Sequence, residues 1–332
     1  MTVGSLTHII MLICTAGLIT LGCVVIRKIP KVWQTVMIIA AVLVCCSCIF
    51  FRYGMGLSWE KGINLKPLLM QQLQVCNFNF ILLPLALIPK FKLPKQYAFY
   101  FSMFAASTTL FALSSDWKPL EWYDTYVLNS WVSHSFAIAS PLWMWSAGWI
   151  KPHRKYILPV SGCVFGYFTI VYIICEIMKG AGLMPLEQSF SFIYKTDGIP
   201  IFDTFHKWIP VPYWHLYLAF PILVGFFFLL SSFFNRSVSF ITSSADKMLK
   251  VYGVIGDEIT LLHGGDSNEG YYLSAWKKLD DEGNQEILYA PGETIKIGKK
   301  NIVLHAVWKP ISADEAESVT SKCYEEGAFV DG

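Results

Sequence analysis

Seven stretches of mainly apolar residues recur along the chain, at about 8–26, 33–51, 67–88, 97–114, 131–150, 157–178 and 213–234. Each approaches the roughly 20 residues that a helix needs to cross the hydrocarbon of a bilayer. The first is not a signal peptide by pattern, because its bases follow the apolar run instead of preceding it. After Asn235 and Arg236 the pattern changes. Residues 239–250 read as a polar linker or a short amphipathic helix. From Val251 to residue 310, short alternating runs such as "YYLSAW", "TIKI" and "NIVLHAVW" stand between Gly, Asp and Asn turns, as in a small β-rich domain. The acidic stretch 311–332 reads as a solvated, flexible tail. The expected fold class is mainly α: a polytopic seven-helix membrane bundle over 1–238 with a small C-terminal β-rich domain.

Composition agrees with lipid as the solvent. Of 332 residues, 54% are hydrophobic and only 15% charged, where a soluble domain has about a quarter charged. Eight of nine cysteines lie within apolar stretches and only Cys323 lies outside, which argues against a disulfide-stapled fold. The sequence has no zinc-ligand spacing, no P-loop, no GxGxxG and no GxSxG, so neither metal nor cofactor is implied. Bases sit in short clusters beside the spans, which gives nucleic-acid binding no support.

Those clusters give direction. Arg27, Lys28 and Lys31 follow the first span, Lys90, Lys92 and Lys95 the third, and Lys151, Arg154 and Lys155 the fifth. The other connections are longer and carry Glu60, then Asp116, Glu121 and Asp124, then Glu187, Asp197 and Asp203. The positive-inside rule then sets the N-terminus outside and the C-terminus in the cytoplasm. Trp117, Trp122, Trp131, Trp208, Tyr213 and Trp214 fall at the outer ends, where an aromatic belt is expected. Pro84, Pro141, Pro159 and Pro221 punctuate the spans and suggest bent helices around an internal cavity.

One span is unusual. "MQQLQVCNFNFILLPLAL" begins with Gln71, Gln72, Gln74, Cys76, Asn77 and Asn79 before turning apolar. As a helix it would put Gln72, Cys76 and Asn79 on one face, with Cys76 about 13 Å below the outer end. His134 in span five, Glu176 in span six and His215 in span seven fall at similar depth. Ionisable groups within a membrane mark functional sites by default. A Cys and a His that meet suggest an imidazole that takes the thiol proton and a thiolate that attacks a lipid ester. Amides such as Gln72, Gln74, Asn77 and Asn79 would donate to the oxyanion. The plainer reading is polar glue between helices, with Cys76 a packing residue, Glu176 paired to Lys179 and His215 in the interfacial belt.

"QLQVCNFNFILLPLAL" with "WVSHSFAIASPLWM", and later "PVPYWHLYLAFPILV", resembles the YwaF-like bacterial membrane proteins, relatives of the animal transmembrane protein 164 family. The resemblance spans about residues 1–238. It implies a bacterial membrane protein and an acyltransferase acting on glycerophospholipids, with Cys76 as the acyl-thioester nucleophile and His134 as general base and acid. Residues 269–308 resemble a single Listeria–Bacteroides repeat through Gly270-Tyr271, Trp276, Tyr289-Ala290-Pro291-Gly292 and the closing Leu304-His305-Ala306-Val307-Trp308. Tyr271, Trp276, Tyr289 and Trp308 are expected to be its core, and Gly292 to turn the chain after Pro291. That repeat usually occurs on secreted or surface proteins, whereas the charge pattern sets this one in the cytoplasm.

The leading expectation is an acyl-lipid enzyme, transferase or hydrolase, with membrane lipids as partners. The alternative is a non-enzymatic membrane protein that binds a lipid or small ligand, with the C-terminal repeat as a protein-interaction module. A transporter is the weaker third reading, since no inverted repeat is visible.

Overall fold

The computed structural model describes residues 3–112, 120–186, 188–194, 200–242, 248–263, 271–279 and 286–310. The expected tail 311–332, together with Asp116, Trp117, Glu187, Asp197 and Gly270, lies outside the described residues. The chain divides into two compact units, Met1–Ser231 and Ser232–Gly332. The first is helical and the second contains a β-sheet.

Among the described residues four helices are long and apolar enough to cross a membrane: Leu6–Lys28 (α1), Lys31–Gly54 (α2 with its terminal turn), Arg154–Gly180 (α8 with its leading turn) and His215–Ser232 (α10). Their large side chains point outward without cover, as with Leu21 at 64% and Val32 at 72% exposure. Apolar surface on that scale needs lipid or a partner, and the four helices make this a membrane protein. The remaining three expected spans differ from the pattern. Helix α7, Thr125–Ser146, is long enough but too polar in composition. It starts six residues earlier than expected, because Asp124 accepts a hydrogen bond from the Tyr126 N–H and caps it. Span four is α5 (Lys92–Tyr97), a wide turn over Ala98–Ser102 and α6 (Met103–Ala112). Span three is two short helices, α3 (Leu65–Gln71) and α4 (Asn79–Leu87), joined by turns over 72–78. A short helix, α9 (Pro200–Trp208), was not anticipated.

The prolines are not where the helices break. Pro84, Pro141 and Pro221 lie inside α4, α7 and α10, and Pro159 in the first turn of α8, where amide donors lack intrahelical partners anyway. The one interruption within a span's polar half has no proline at all.

Helix α7 is central and packs on both α1 and α2. Thr15 links them, accepting from the Trp131 indole N–H at 2.9 Å and sharing a hydrogen bond with Ser135 at 3.1 Å. Lower down, Gly22 of α1 lies against the Trp143 indole so closely that a Cβ there would overlap the ring. Gly17, on the same helix, faces open space. Gly22→Ala is therefore expected to cost about 1–3 kcal/mol by overpacking, while Gly17→Ala is neutral or stabilising through helix propensity. Thermal unfolding in detergent reads the difference, and equal midpoints for the two variants would refute the close α1–α7 contact.

The second unit holds a five-stranded sheet in the order β2-β1-β7-β4-β5. Its strands are β1 (Asn235–Ile241), β2 (Met248–Val254), β4 (Tyr271–Leu279), β5 (Glu286–Tyr289) and β7 (Ile302–Pro310). Strands β3 (Glu258–Thr260) and β6 (Thr294–Lys296) form a separate pair. All neighbours are antiparallel except β1 and β7, which run parallel with Val238 opposite Ile302 and Ile241 opposite His305. The expected linker over 239–250 is thus corrected. Residues 239–241 and 248–250 are strand, because Val238 and Phe240 alternate with serines and bury themselves fully.

Trp276 is fully buried among Val238, Phe240, Ile302 and Leu304, and its indole N–H donates to the Leu262 carbonyl at 2.8 Å. Tyr289 packs against this core, and Trp308 is half-buried with its N–H on the Thr242 carbonyl. Tyr271 is 47% exposed, so its expected core role is corrected: it begins an edge region of β4 and turns outward. Gly292 has φ +79 in the turn after Pro291, and a Cβ there would strike the His263 ring.

Candidate functional site

The stretch over 72–78 fails to continue α3 because its backbone groups find partners elsewhere. The Val75 N–H donates to Ser191 Oγ at 2.9 Å, and Ser191 Oγ donates to the Leu73 carbonyl at 2.6 Å. Gln74 Oε1 accepts from the Ser191 N–H at 2.7 Å. The Tyr167 hydroxyl donates to the Gln72 carbonyl at 2.8 Å. The turns that remain close mainly through i→i+3 bonds such as Asn77 N to Gln74 O. Irregular backbone is tolerated in an apolar setting where it is enclosed by protein or lines a cavity, and this segment does both. The expectation that Gln72, Cys76 and Asn79 share one helix face is therefore corrected: no helix runs through them.

The clamp comes from the loop 188–194. Ser191 and Phe192 both have positive φ, +50 and +63, a conformation that costs a non-glycine residue about 1–2 kcal/mol. It is held by surrounding contacts. His215, fully buried, donates through Nε2 to the Phe192 carbonyl at 2.9 Å, and Tyr213 N–H donates to the Ile193 carbonyl. Phe190 and Ile193 pack with Val171, Cys175 and Leu216. His215 thus secures the loop and does not line the cavity described next. Glu176 is exposed and accepts from the Tyr194 hydroxyl, whose proton is retained because burial and the Glu176 carboxylate push the phenol well up. The suggested Glu176–Lys179 pairing is replaced by this bond, and Lys179 Nζ lies 3.2 Å from the centre of the Tyr194 ring.

A cavity of about 560 Å³ opens inside the helical unit, within the usual size range of ligand sites. Cys76, Asn77, Gln74 and His134 line it, so four of the eight expected site residues meet there. Gln72 and Asn79 stand behind the lining. Gln72 Nε2 donates to the Leu68 carbonyl, and Asn79 Nδ2 donates to the Cys76 carbonyl at 3.0 Å, which fixes the peptide that carries the thiol. The lining also includes the apolar side chains of Phe101, Phe104, Phe168, Phe220, Leu223 and Phe226.

His134 lies nine residues into α7, about 13 Å of rise from its start. That depth matches the value expected for Cys76, and the early cap at Asp124 is what produces it. Its Nδ1 is 2.7 Å from the Ser130 carbonyl. With Nδ1–H donating there, the acceptor nitrogen of the neutral ring is Nε2. The thiol of Cys76 has its own partners, Thr109 Oγ1 at 3.4 Å and the Ala105 carbonyl at 3.8 Å. Thr109 donates to the Ala105 carbonyl at 3.1 Å, which leaves its oxygen to accept from the thiol. Cys45 is also buried and donates to the Ser133 carbonyl at 3.3 Å, but it does not line the cavity.

Arg52 lines the same cavity and did not figure among the expected site residues. A wide turn over Phe50–Gly54 at the end of α2 carries it inward, a local distortion often found at functional positions. It is 4% exposed. One guanidinium nitrogen donates to Asn77 Oδ1 at 3.3 Å, and Asn77 Nδ2 donates in turn to Gln71 Oε1 at 3.2 Å. Tyr53 and Tyr126 lie beside the cation with ring centres 4.6 and 5.6 Å away. Thr109 and Ser191 were likewise missed. Polar "STT" within span four was the available signal for Thr109, whereas nothing local marks Ser191.

Among the described residues no three His, Cys, Asp or Glu side chains are grouped as metal ligands would be. No protein-family model, no curated protein and no solved structure matches this chain.

Proposed function

We propose that this is an acyl-lipid enzyme that forms a thioester on Cys76 with His134 as general base and acid. The observation that carries the reading is that these two side chains, from distant segments, line one cavity whose wall mixes polar groups with aromatic rings. The thiol first turns from Thr109 toward Nε2 of His134. Nε2 takes the Sγ proton as the thiolate bonds to the ester carbonyl carbon. The tetrahedral oxyanion then collapses, the carbon–oxygen bond of the leaving alcohol breaks, and the imidazolium returns its proton to that oxygen. The acyl group remains on sulfur. A second alcohol, or water, loses its proton to His134 and attacks the thioester, which regenerates the thiol.

This reading includes seven spans with the N-terminus outside and the C-terminal domain in the cytoplasm of a bacterium, and a relationship to the YwaF-like and transmembrane protein 164 proteins. The apolar runs, the clustered bases and the residues around Cys76 and His134 support it. The C-terminal domain, akin to a Listeria–Bacteroides repeat, serves as a protein-interaction module.

The test is acyl transfer from a labelled phospholipid to the purified protein, read by mass spectrometry on the Cys76 peptide. An adduct forms in the wild type, is absent in Cys76→Ser, and forms at least a hundredfold more slowly in His134→Ala, within the contribution typical of a positioned general base. An adduct that forms equally fast without His134 would refute the assigned pair. One observation favours a second reading, lipid binding without chemistry: at rest the thiol bonds to Thr109 and not to His134. In that case neither adduct nor turnover appears while lipid still binds.

A further inference from the structure

Arg52 is a permanent cation inside the helical unit, and among the described residues it lacks a counter-charge. Among the described residues its interactions are one hydrogen bond to a neutral amide and two aromatic rings. Its Nε is buried and has no hydrogen-bond partner among the described residues. Every other described residue lining the cavity is uncharged, apart from His134, whose Nδ1–H is committed to the Ser130 carbonyl. A guanidinium does not escape its charge by losing a proton, so the cost of burying it must be met by a partner. Aromatic faces offset part of that, and an amide oxygen a little more. The group best matched to a planar fork of N–H donors is an oxyanion.

We propose that Arg52 is an anion-binding residue that holds the phosphate of an amphiphile, whose hydrocarbon lies along Phe101, Phe104, Phe168 and Phe220. The assignment of phosphate rests on the acyl-lipid reading above: an ester carbonyl is uncharged, so the charge of such a lipid resides on its head group. Asn77 then has two tasks. It aims the guanidinium through Oδ1, and it adjoins Cys76 in the chain, so the head-group anchor and the thiol are set at a fixed separation. A phosphate held at Arg52 would place one particular ester linkage beside the sulfur, which makes Arg52 a positioning residue as well as a binding one.

The experiment is equilibrium binding of radiolabelled dioleoylphosphatidylglycerol to the full chain in detergent. Unlabelled phosphatidylglycerol, dioleoylglycerol and glycerol 3-phosphate serve as competitors. Dioleoylglycerol, which has the chains but no phosphate, is expected to compete at least tenfold more weakly than phosphatidylglycerol. That ratio matches the loss of a charge-assisted hydrogen bond. Arg52→Gln abolishes the preference, and Arg52→Lys, which keeps the charge without the fork, retains only part of it. Equal competition by both lipids in the wild type overturns the proposal, as does an undiminished preference in folded Arg52→Gln. Glycerol 3-phosphate competing as well as the lipid overturns the amphiphile and leaves a free phosphate ester as the ligand. If Arg52→Gln does not fold, the wild-type ratio and Arg52→Lys still decide. Binding is read without turnover, so a lost head-group preference and a missing acyl adduct are separate results.

Discussion

Ser191→Ala lowers the thermal unfolding midpoint and speeds alkylation of Cys76. The hydroxyl bridges two backbone groups of the broken span, donating to the Leu73 carbonyl and accepting from the Val75 N–H, at a position with no solvent exposure. Removing it leaves both groups buried without partners, at about 1–3 kcal/mol each. Alanine carries the same left-handed backbone cost as serine, so the loss belongs to the hydroxyl alone. Glycine at the same position loses the hydroxyl and relieves φ, and should recover about 1 kcal/mol. The local consequence is that 72–78 loosens its hold on the cavity wall. N-ethylmaleimide labelling of Cys76 in detergent, followed on its peptide, should accelerate while Cys45, buried against the Ser133 carbonyl and away from the Ser191 loop, labels as before. An unchanged midpoint together with an unchanged Cys76 rate would show that Ser191 does not hold the segment.

Trp276→Ala is expected to unfold the β unit and spare the helical one. The side chain is fully buried, stacks edge-on against Phe240 with ring centres 5.0 Å apart, and satisfies the Leu262 carbonyl. Large aromatic deletions in a core cost about 3–5 kcal/mol. The carbonyl left unpaired adds to that. A domain this small has little stability to spare. Limited proteolysis of the full chain should then cut within 235–310 and leave the fragment up to Ser231 resistant. Trp276→Phe keeps most of the ring and should be intermediate. Resistance of the β unit in Trp276→Ala would refute its place at the centre of that core.

What could be read from the sequence follows a physical divide. Helices α1, α2, α8 and α10 were legible because run length and apolarity are local quantities, and lipid demands both. The break in span three was not. Hydropathy reports what a residue prefers, and the break depends on a serine 116 residues away that supplies a better partner for Val75 than the helix does. Cys76 and His134 were legible as polar chemistry in an apolar setting. Arg52 was hidden by its position, since a base after twenty apolar residues looks like the end of a span, and only the wide turn at Phe50–Gly54 brings it inside. Strand β1 was hidden because its serines read as a linker, although Val238 and Phe240 already alternate. Tyr271 was assigned to the core on size, and its place at the start of β4 left it exposed.

The parallel pairing of β1 with β7 imposes an order on synthesis. Strand β1 emerges directly after α10, and its inward residues Val238 and Phe240 belong to a core whose other side, Ile302 and Leu304, is made some 60 residues later. Its antiparallel partner β2 follows at once and can form a hairpin with it, but a hairpin alone is marginal in water. For that interval the chain just beyond the last apolar helix presents an unfinished sheet edge. Strand β7 closes it, so a protein truncated before Ile302 would carry a permanently open edge on β1, and aggregation would begin there.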